Sequence, residues 1–373
     1  MSQLTDIRYF PRKDLVEQVH QILISGLSNA ITMFAARRMG KTLFVRNELL
    51  PAADAWRWRA CYIDLWVRRD QPEQGLVEEL EKAGRRQGAL AKMKPSTMKA
   101  KAAYAGNEVE AEWKKEGSAD DLQGRLRKAM RQLVLPGDQP VLLVIDEFQT
   151  LAQGKHEDFV AAFRATMLEL QPKLKLFFTG SSRDALNTMF RKRKAPLFDS
   201  AMSLPLPELE KDFVEDRAEI FREMTGKAMD VEALSRVFDN VAHVPLYLNQ
   251  IILHTVVSLT SDPWEGFRRW RMDVGEAGLR EQWVKLKPVD RVILTHLAND
   301  RPGSLFSAEF SAKVTQAIGE PKPYTPQRIQ TVVNRLVKSA VLAPKGGHGE
   351  YEIEDRALAI YIGTSVPKIS GDS

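Results

Sequence analysis

The sequence predicts an α/β domain built on a parallel sheet, followed by a helical segment and a small domain of helices and one hairpin. Three observations support this order. Near-continuous apolar runs alternate with helical patterns over residues 1–206, strand signals stop near Pro207, and helices followed by a Gly-rich hairpin come after Pro288. The chain of 373 residues is also longer than one ordinary domain.

Apolar spacing gives the elements of the first domain. A helix is expected from Arg12 to about Leu27, where Leu15 and Val19 begin a helical stripe. The expected strands are short runs rich in aliphatic and aromatic residues, at 31–35, 60–66, 140–145 and 174–179. Strands of this kind, separated by helices, indicate a parallel sheet that helices cover on both faces.

Residues 98–113 interrupt this alternation between the second and third strands. Gly106-Asn107 is a plausible two-residue hairpin loop, and such a loop would set Tyr104 opposite Val109. We therefore predict an amphipathic β-hairpin inserted in the first domain. A plain surface excursion and a device for binding a partner are both open at this point.

The second half of the chain is predicted to be helical over residues 207–284, with helices at Lys211–Thr225 and Tyr247–Leu259. Residues 285–373 show another order, with helices at 290–297, 308–317 and 326–339, then short strands around a Gly-rich tip. Thr325-Pro326 is a favourable start for the third helix. Three helices and a two-stranded wing predict a winged-helix domain, followed by a tail.

Composition excludes several classes of protein. Hydrophobic residues make up 44% and charged residues 28%, which is typical of a folded globular chain. No apolar run approaches the roughly 20 residues that span a bilayer, and the N-terminus lacks the pattern of a secretory signal. Cys61 is the only cysteine, which excludes a disulfide framework and a four-cysteine zinc site. We expect a cytoplasmic protein with no membrane partner.

Basic residues are concentrated in two places. The net charge is only +5, but the stretch from Lys285 to Lys345 holds ten Lys and Arg against four Asp and Glu. A second cluster, Arg191-Lys192-Arg193-Lys194, lies in the middle of the chain. Such clusters are compatible with a solvated surface and with an electrostatic binding surface.

The strongest motif lies at residues 35–42, where Ala-Ala-Arg-Arg-Met-Gly-Lys-Thr follows a predicted strand and opens a helix. It fits three of the four specified positions of the phosphate loop G-x-x-x-x-G-K-[ST], with Ala35 in place of the first Gly. Backbone N–H groups of such a loop hold phosphate, Lys41 would reach the β- and γ-phosphates, and the Thr42 hydroxyl would bind Mg²⁺. The nucleotide-binding residues predicted here are Ala36, Arg37, Arg38, Met39, Gly40, Lys41, Thr42 and Leu43.

A second motif, Asp146-Glu147, follows the apolar run at 141–145. A buried strand that ends in two acids needs a compensating partner, because burying unpaired carboxylates is costly. Mg²⁺ would supply it, with Asp146 as the metal ligand and Glu147 as general base for the attacking water. A solvated strand end is the alternative. The chain lacks the N-K-x-D guanine signature, so we expect ATP and Mg²⁺.

With these residues placed, the chain resembles the archaeal-type ATPases, in the STAND branch of the AAA+-like P-loop ATPases, over roughly residues 8–362. The matching segments are the opening box at 9–15, the loop at 37–42, Ile-Asp-Glu-Phe-Gln at 145–149, Thr-Gly-Ser-Ser at 179–182 and His-Val-Pro-Leu-Tyr-Leu at 243–248. This resemblance implies a P-loop sheet, an AAA+-like helical lid and a C-terminal winged helix. It also implies that Arg12 borders the nucleotide base, Ser181 or Ser182 reads the γ-phosphate, and the Pro245 segment closes from the lid.

The chain departs from that family at two positions. The family usually carries P-L-[YF]-G-R after the sensor strand, whereas this chain has Ser200 where the arginine would stand. Slow turnover is one consequence, and substitution by Arg183, Arg191 or Arg193 is another. His243 replaces a family glycine, and a structural histidine is favoured over one that approaches phosphate.

The winged helix could contact double-stranded DNA. Its third helix carries Arg328, Asn334, Arg335 and Lys338, residue types that read base edges or bind phosphate, and the wing carries Lys345. Winged helices in such ATPases also serve as lids or protein-docking modules.

The function expected from these observations is an ATP-hydrolysing AAA+/STAND-type switch that couples nucleotide state to DNA or to a protein partner, including another copy of the chain. Two alternatives stay open. One is a winged-helix DNA-binding regulator with a structural nucleotide, and the other is a protein-docking ATPase whose partner meets the 98–113 hairpin.

Overall fold

A computed structural model describes residues 9–92, 121–152, 154–181, 186, 189–273, 276–299, 304–339, 341–344 and 349–365. The chain divides into two units, of which the first comprises Met1–Ala35 and Lys41–Leu206 and the second Ala36–Gly40 and Pro207–Ser373. The hairpin predicted at 98–113 lies outside the described residues. No helix in the described part of the chain is both long enough and apolar enough to cross a membrane.

The first unit is organised around a sheet of five parallel strands. They are β1 Ala30–Phe34, β2 Arg59–Asp64, β3 Val141–Asp146, β4 Leu174–Gly180 and β5 Met202–Ser203, in the order β2-β3-β4-β1-β5. The four predicted strands are present. The edge strand β5 is additional, because two residues are too few to give a periodic pattern.

Helices connect and cover these strands. They are α1 Lys13–Ile24, α2 Lys41–Phe44, α3 Leu50–Ala55, α4 Pro72–Lys92, α5 Leu122–Val134 and α6 Glu157–Glu169, with a π-helical turn, Val45–Leu49, between α2 and α3. All residues of β3 and β4 are buried, as the near-continuous apolar runs predict. Phe148, Phe163, Phe178 and Phe190 pack together beside these strands, with ring centroids 4.4–6.1 Å apart.

The second unit begins with five helices. They are α7 Lys211–Thr225, α8 Val231–Asn240, α9 Pro245–Val257, α10 Pro263–Asp273 and α11 Glu276–Lys285. Gly226 ends α7 in a left-handed conformation with φ 71°, which favours glycine at that position. The Asp230 side chain caps α8 by accepting hydrogen bonds from the N–H groups of Glu232 (2.9 Å) and Ala233 (3.1 Å).

The chain then forms three helices, a two-stranded antiparallel ribbon and a last helix. These elements are α12 Pro288–Ala298, α13 Ala308–Ile318, α14 Pro326–Lys338, β6 Leu342–Pro344, β7 Tyr351–Ile353 and α15 Arg356–Ser365. They share an apolar core that includes Ile293, Ile329 and Leu336. The sequence pattern does not predict α15, whose Ile362 is fully buried in the same core.

A close approach between α9 and α10 makes Gly266 critical for stability. A Cβ atom there would lie 1.9 Å from Thr255 Oγ1 and 2.7 Å from the Ile251 carbonyl oxygen. We expect Gly266→Ala to lower the free energy of unfolding by about 1–3 kcal/mol, since overpacking forces neighbouring atoms to move. Gly84→Ala is the matched control, because its nearest neighbour would be Gln132 Cβ at 3.3 Å. Equal urea midpoints for the two variants would contradict this account.

Candidate functional site

The segment that follows β1 has the backbone of a phosphate loop. Gly40 adopts φ 93° and Arg38 φ 69°, whereas Ala35 is not among the residues with positive φ. Alanine is therefore tolerated where the loop pattern asks for a first glycine. The loop residues differ in exposure: Met39 is buried, Ala36 and Gly40 are half-buried, and Arg37, Arg38 and Leu43 are exposed.

Lys41 begins α2, and its side chain is buried. Its ammonium group donates a hydrogen bond to the carbonyl oxygen of Ala35, which closes the loop on itself. A buried cation thus lies against the residue that follows β1, and it belongs to the first residue of a helix. Both features favour an anionic ligand such as phosphate.

Asp146 is the most heavily hydrogen-bonded carboxylate of the site. Its side chain is 2% exposed and accepts bonds from Thr42 Oγ1 (2.9 Å), the Tyr62 hydroxyl (2.9 Å), the Thr179 hydroxyl and the N–H of Glu147 (3.0 Å). These donors come from α2, β2, β4 and the end of β3. Tertiary structure therefore brings Asp146 and Thr42, the two predicted metal ligands, into direct contact.

These two side chains fit Mg²⁺. Thr42 and Asp146 offer hard oxygen donors from neighbouring elements, and Mg²⁺ in nucleotide sites uses one or two such ligands together with phosphates and waters. Among the residues the structure describes, no group of three or more His, Cys, Asp or Glu side chains could hold a metal ion. The pair is thus suited to a metal that a nucleotide helps to bind.

Glu147 stands one residue beyond Asp146, with its backbone in the left-handed region (φ 55°, ψ 39°). Its Oε2 atom accepts hydrogen bonds from the Ser181 hydroxyl (2.7 Å) and from the Gln149 amide. The same amide also donates to Ser181 Oγ at 3.1 Å. Gln149 is absent from the site residues predicted from sequence, although it stands inside the Ile-Asp-Glu-Phe-Gln segment.

The strand order explains how these groups meet. Because β4 lies between β1 and β3, the end of β4 stands between the end of β1 and the two acids. Ser181, which follows β4, is 3% exposed and reaches Glu147 directly. Ser182 and Arg183 lie outside the described residues.

Arg12, predicted to border the nucleotide base, is held against the π-helical turn that follows α2. Its backbone N–H donates to Glu48 Oε1 at 2.8 Å, and the Tyr9 hydroxyl donates to the same oxygen. Burial lowers the pKa of the Arg12 guanidinium and raises the pKa of the Tyr9 hydroxyl. Glu48 gives no motif signal in the sequence, because its partners stand more than 30 residues away.

Arg38 contacts a tyrosine within the second unit. Its guanidinium donates to the Tyr247 hydroxyl, and its Cζ atom lies 5.3 Å from the centre of that ring. Burial raises the pKa of Tyr247, and the positive charge of Arg38 opposes that shift. Tyr247 belongs to α9, which starts at Pro245, so the predicted Pro245 segment and the predicted loop residue Arg38 both belong to this unit.

His243 has structural contacts. Its ring nitrogens lie 3.3 Å from the Leu209 carbonyl oxygen and 3.1 Å from Asp239 Oδ1, and its ring packs on Phe238 at 4.8 Å. Its backbone φ is 54°, a conformation in which glycine is the least strained residue. This conformation gives a physical reason for the glycine that the archaeal-type ATPases carry at this position.

Ser200 donates its hydroxyl hydrogen to the Leu197 carbonyl oxygen at 2.7 Å. Arg191, one of the candidates to replace the family arginine, is exposed and forms an ion pair with Asp199 at 3.8 Å. Arg193 is also exposed. Neither arginine shows a contact with the acids of the site.

Two arginines predicted to contact nucleic acid make contacts inside the second unit. Arg328 lies over the Tyr324 ring, 4.0 Å from its centre, and donates to the Lys322 carbonyl oxygen at 2.7 Å. Arg335 forms an ion pair with Asp290, whose side chain is 1% exposed. Arg328 thus joins α14 to the segment that precedes it, and Arg335 joins α14 to α12.

The other residues predicted to contact nucleic acid are Asn334, Lys338 and Lys345. Asn334 is exposed on α14 together with Gln327 and Thr331, which share one face of the helix at helical spacing. Lys345 and the side chain of Lys338 lie outside what the structure describes.

No family model and no curated protein matches this sequence. Among the solved structures that do match, the Walker-type ATPase PABY2304 of Pyrococcus abyssi has a TM-score of 0.62 at 15% identity, over 95% of this chain and 96% of that one. The ORC2 protein of Aeropyrum pernix, in its ADP form, has a TM-score of 0.56 at 13% identity, over 98% of both chains. The chain therefore has the fold of the P-loop ATPases, and its resemblance to archaeal ATPases is confirmed at the level of the fold.

A third acid, Asp64, ends β2 directly beside Asp146 in the sheet. Burial raises the pKa of the Asp64 carboxyl, and the charges of Asp146 and Glu147 raise it further. The Trp66 N–H, at 2.9 Å, and the charge of Arg46 oppose this shift. The ionised form of Asp64 is therefore less favourable in the folded chain than in the unfolded chain.

We expect this arrangement to appear as a pH dependence of stability. Because the pKa of Asp64 is higher in the folded state than its unfolded value of about 3.9, wild-type stability should fall as pH rises from that value through the folded pKa. Asp64→Asn should therefore gain stability over the wild type at about pH 7 and not at about pH 4. Urea unfolding without Mg²⁺ measures the difference, with the exposed Asp70→Asn as control. A difference that is the same at both pH values would refute the assignment.

Proposed function

We propose that this chain is an ATP-binding and ATP-hydrolysing molecular switch of the AAA+/STAND type, which couples nucleotide state to DNA or to a protein partner. The observation that carries the proposal is the hydrogen-bonded set around Asp146, in which Thr42, from the helix after the phosphate loop, contacts the carboxylate at the end of β3. The P-loop ATPase fold supports it. Residues 207–284 are proposed as the lid and 285–373 as a winged-helix domain with a tail.

Binding of ATP is assigned to the loop after β1. Its N–H groups and the N-terminus of α2 would hold the phosphates, and Lys41 would exchange the Ala35 carbonyl for phosphate oxygens. Arg12 is proposed to border the base and Pro245 to approach from the lid. Thr42 and Asp146 would hold Mg²⁺, which when bound supplies positive charge beside the β- and γ-phosphates.

Hydrolysis is assigned to Glu147, with Ser181 and Ser182 as the proposed polar groups that sense the γ-phosphate. A water molecule attacks the γ-phosphorus, and the bond between that phosphorus and the β,γ-bridging oxygen breaks. The proton of the water passes to the Glu147 carboxylate, and ADP and inorganic phosphate are the products. Ser200 provides no cation for the developing charge, so we propose that turnover is slow until a partner acts or Arg183, Arg191 or Arg193 moves in.

Two substitutions separate binding from turnover. Lys41→Ala should weaken ATP binding at least about tenfold, because hydrogen bonds between charged groups contribute about 1.5–3 kcal/mol each. Glu147→Gln should keep ATP affinity within about twofold of the wild type and lower turnover by about 10²–10⁴, the usual range for losing a general base. Calorimetry with ATP and a phosphate-release assay measure the two quantities.

The controls for this experiment are surface residues of the same types. Lys82→Ala removes a lysine that pairs with Glu79, and Glu169→Gln alters a glutamate that pairs with Arg131. Both should match the wild type in binding and turnover. Normal ATP binding by Lys41→Ala would contradict the assignment of ATP binding to the loop after β1.

DNA is proposed as the partner of α14. The exposed polar face of that helix, formed by Gln327, Thr331 and Asn334, carries residue types that can hydrogen-bond base edges. Arg328 and Arg335 serve the folded state through Tyr324 and Asp290. The competing protein-docking function predicts no salt-dependent affinity for DNA.

Negative charge added to this face distinguishes the two functions. Thr331→Glu combined with Asn334→Glu should weaken binding to a mixed-sequence duplex by about tenfold or more, since added negative charges repel phosphates. Gln316→Glu with Ala317→Glu places the same charges on the exposed face of α13 and serves as control. Fluorescence anisotropy over a range of salt concentrations gives the affinities. Equal losses in the two variants, or no affinity in the wild type, would favour a protein partner.

A further inference from the structure

We propose that Gln149 is the positioning residue that holds Glu147 in place and joins it to Ser181. The inference rests on the proposed hydrolytic function and adds to it a residue that the sequence motifs leave without a role. Three side chains form a closed set of hydrogen bonds: Gln149 Nε2 donates to Glu147 Oε2 and to Ser181 Oγ (3.1 Å), and Ser181 Oγ donates to Glu147 Oε2 (2.7 Å).

The orientation of the Gln149 amide is set by the carboxylate. Its Oε1 atom is buried and has no hydrogen-bond partner among the described residues, which is an unfavourable state for an amide oxygen. Rotating the amide by half a turn would place that oxygen against Glu147 Oε2, so that two acceptors would face each other. The side chain therefore tolerates one unsatisfied oxygen in order to keep its N–H groups on Glu147 and Ser181.

Gly180 makes room for this arrangement. A Cβ atom at Gly180 would lie 2.5 Å from Gln149 Oε1 and 2.7 Å from Leu186 Cδ1. Gly180 is not among the residues with positive φ, so its backbone does not require glycine. The close approach of the Gln149 amide gives the physical reason for glycine at the end of β4.

These hydrogen bonds also fix the direction of the second carboxylate oxygen of Glu147. Both hydrogen bonds go to Oε2, and in the described part of the chain Oε1 accepts none. With Oε2 held, Oε1 has a fixed direction from which to accept the proton of the attacking water. Ser181 stands at the position proposed to sense the γ-phosphate, so the same bonds connect that group to the base.

The contacts of Gln149 predict which kinetic quantity changes. Its side chain contacts Glu147 and Ser181 but neither Lys41 nor Thr42, which are the residues assigned to phosphate and metal. Gln149→Met keeps the length of the side chain and removes the amide. We expect kcat to fall between about 10- and 100-fold, because a displaced general base loses its alignment, while KM and the Kd for ATP stay within about twofold.

Gly180→Ala tests the same set from the other side. The added methyl group should push the Gln149 amide away while leaving its chemistry intact, and it should therefore also lower kcat at unchanged ATP affinity. The double variant Gly180→Ala/Gln149→Met should lower kcat no further than the more damaging of the two single variants, since both changes break the same bonds. If Gly180→Ala does not fold, Gln149→Met decides the question by itself.

Gln74→Met is the matched control. It removes an amide that donates to a glutamate, Glu78, at 2.9 Å on α4, with no contact to the site residues, and it should retain wild-type kcat. Wild-type kcat in Gln149→Met, or a loss of ATP affinity as large as its loss of kcat, would overturn the positioning role. Failure of the proposed function gives another pattern: no turnover in the wild type, or full turnover in Glu147→Gln.

Discussion

The site is organised by one constraint, the burial of the Asp146 carboxylate at the end of a fully buried strand. A charged group with 2% exposure is costly unless hydrogen bonds compensate it. Four donors do so here, and they come from α2, β2, β4 and the backbone next to Asp146 itself. Each donor is in reach only if the strands adopt the order β2-β3-β4, with β1 delivering the loop to α2. The strand order that defines the fold is therefore also what assembles the site.

The segments that carry the motifs depart from regular backbone structure. Glu147 and Arg38 have positive φ without being glycine, and left-handed conformations of such residues cost roughly 1–2 kcal/mol each. Two glycines occupy further positions that disfavour a side chain. Gly40 has a φ of 93°, and Gly180 leaves room for the close approach of Gln149. Strained and closely packed residues concentrate at functional sites when the surrounding structure holds them there. The buried strands β3 and β4 provide that rigid surrounding.

Part of this structure can be predicted from local sequence patterns, and the rest cannot. The strands at 141–146 and 174–180 are predictable because burial on both faces demands continuous apolar runs. Thr42 and Asp146 are predictable as a motif pair, yet their contact, like that of Tyr62 with Asp146, depends on strand order and register. Helical spacing presents Arg335 as a surface cation, whereas its partner Asp290 stands 45 residues earlier. Pairings at such distances exist only in the folded chain, and for that reason the contact of Gln149 with Ser181 and the role of Glu48 also escape prediction from the sequence.

Under the proposed function, the parts of the site have separate tasks. Lys41 supplies a buried positive charge whose direction is set by its bond to the Ala35 carbonyl oxygen. Base alignment comes from neutral donors, Gln149 and Ser181, which can hold a carboxylate without neutralising it. An arginine at position 200 would add a cation at the transition state, but Ser200 donates to the Leu197 carbonyl oxygen and Arg191 pairs with Asp199 at the surface. Under the proposed function, binding and alignment are built in, and stabilisation of the developing charge is the step that a partner would regulate.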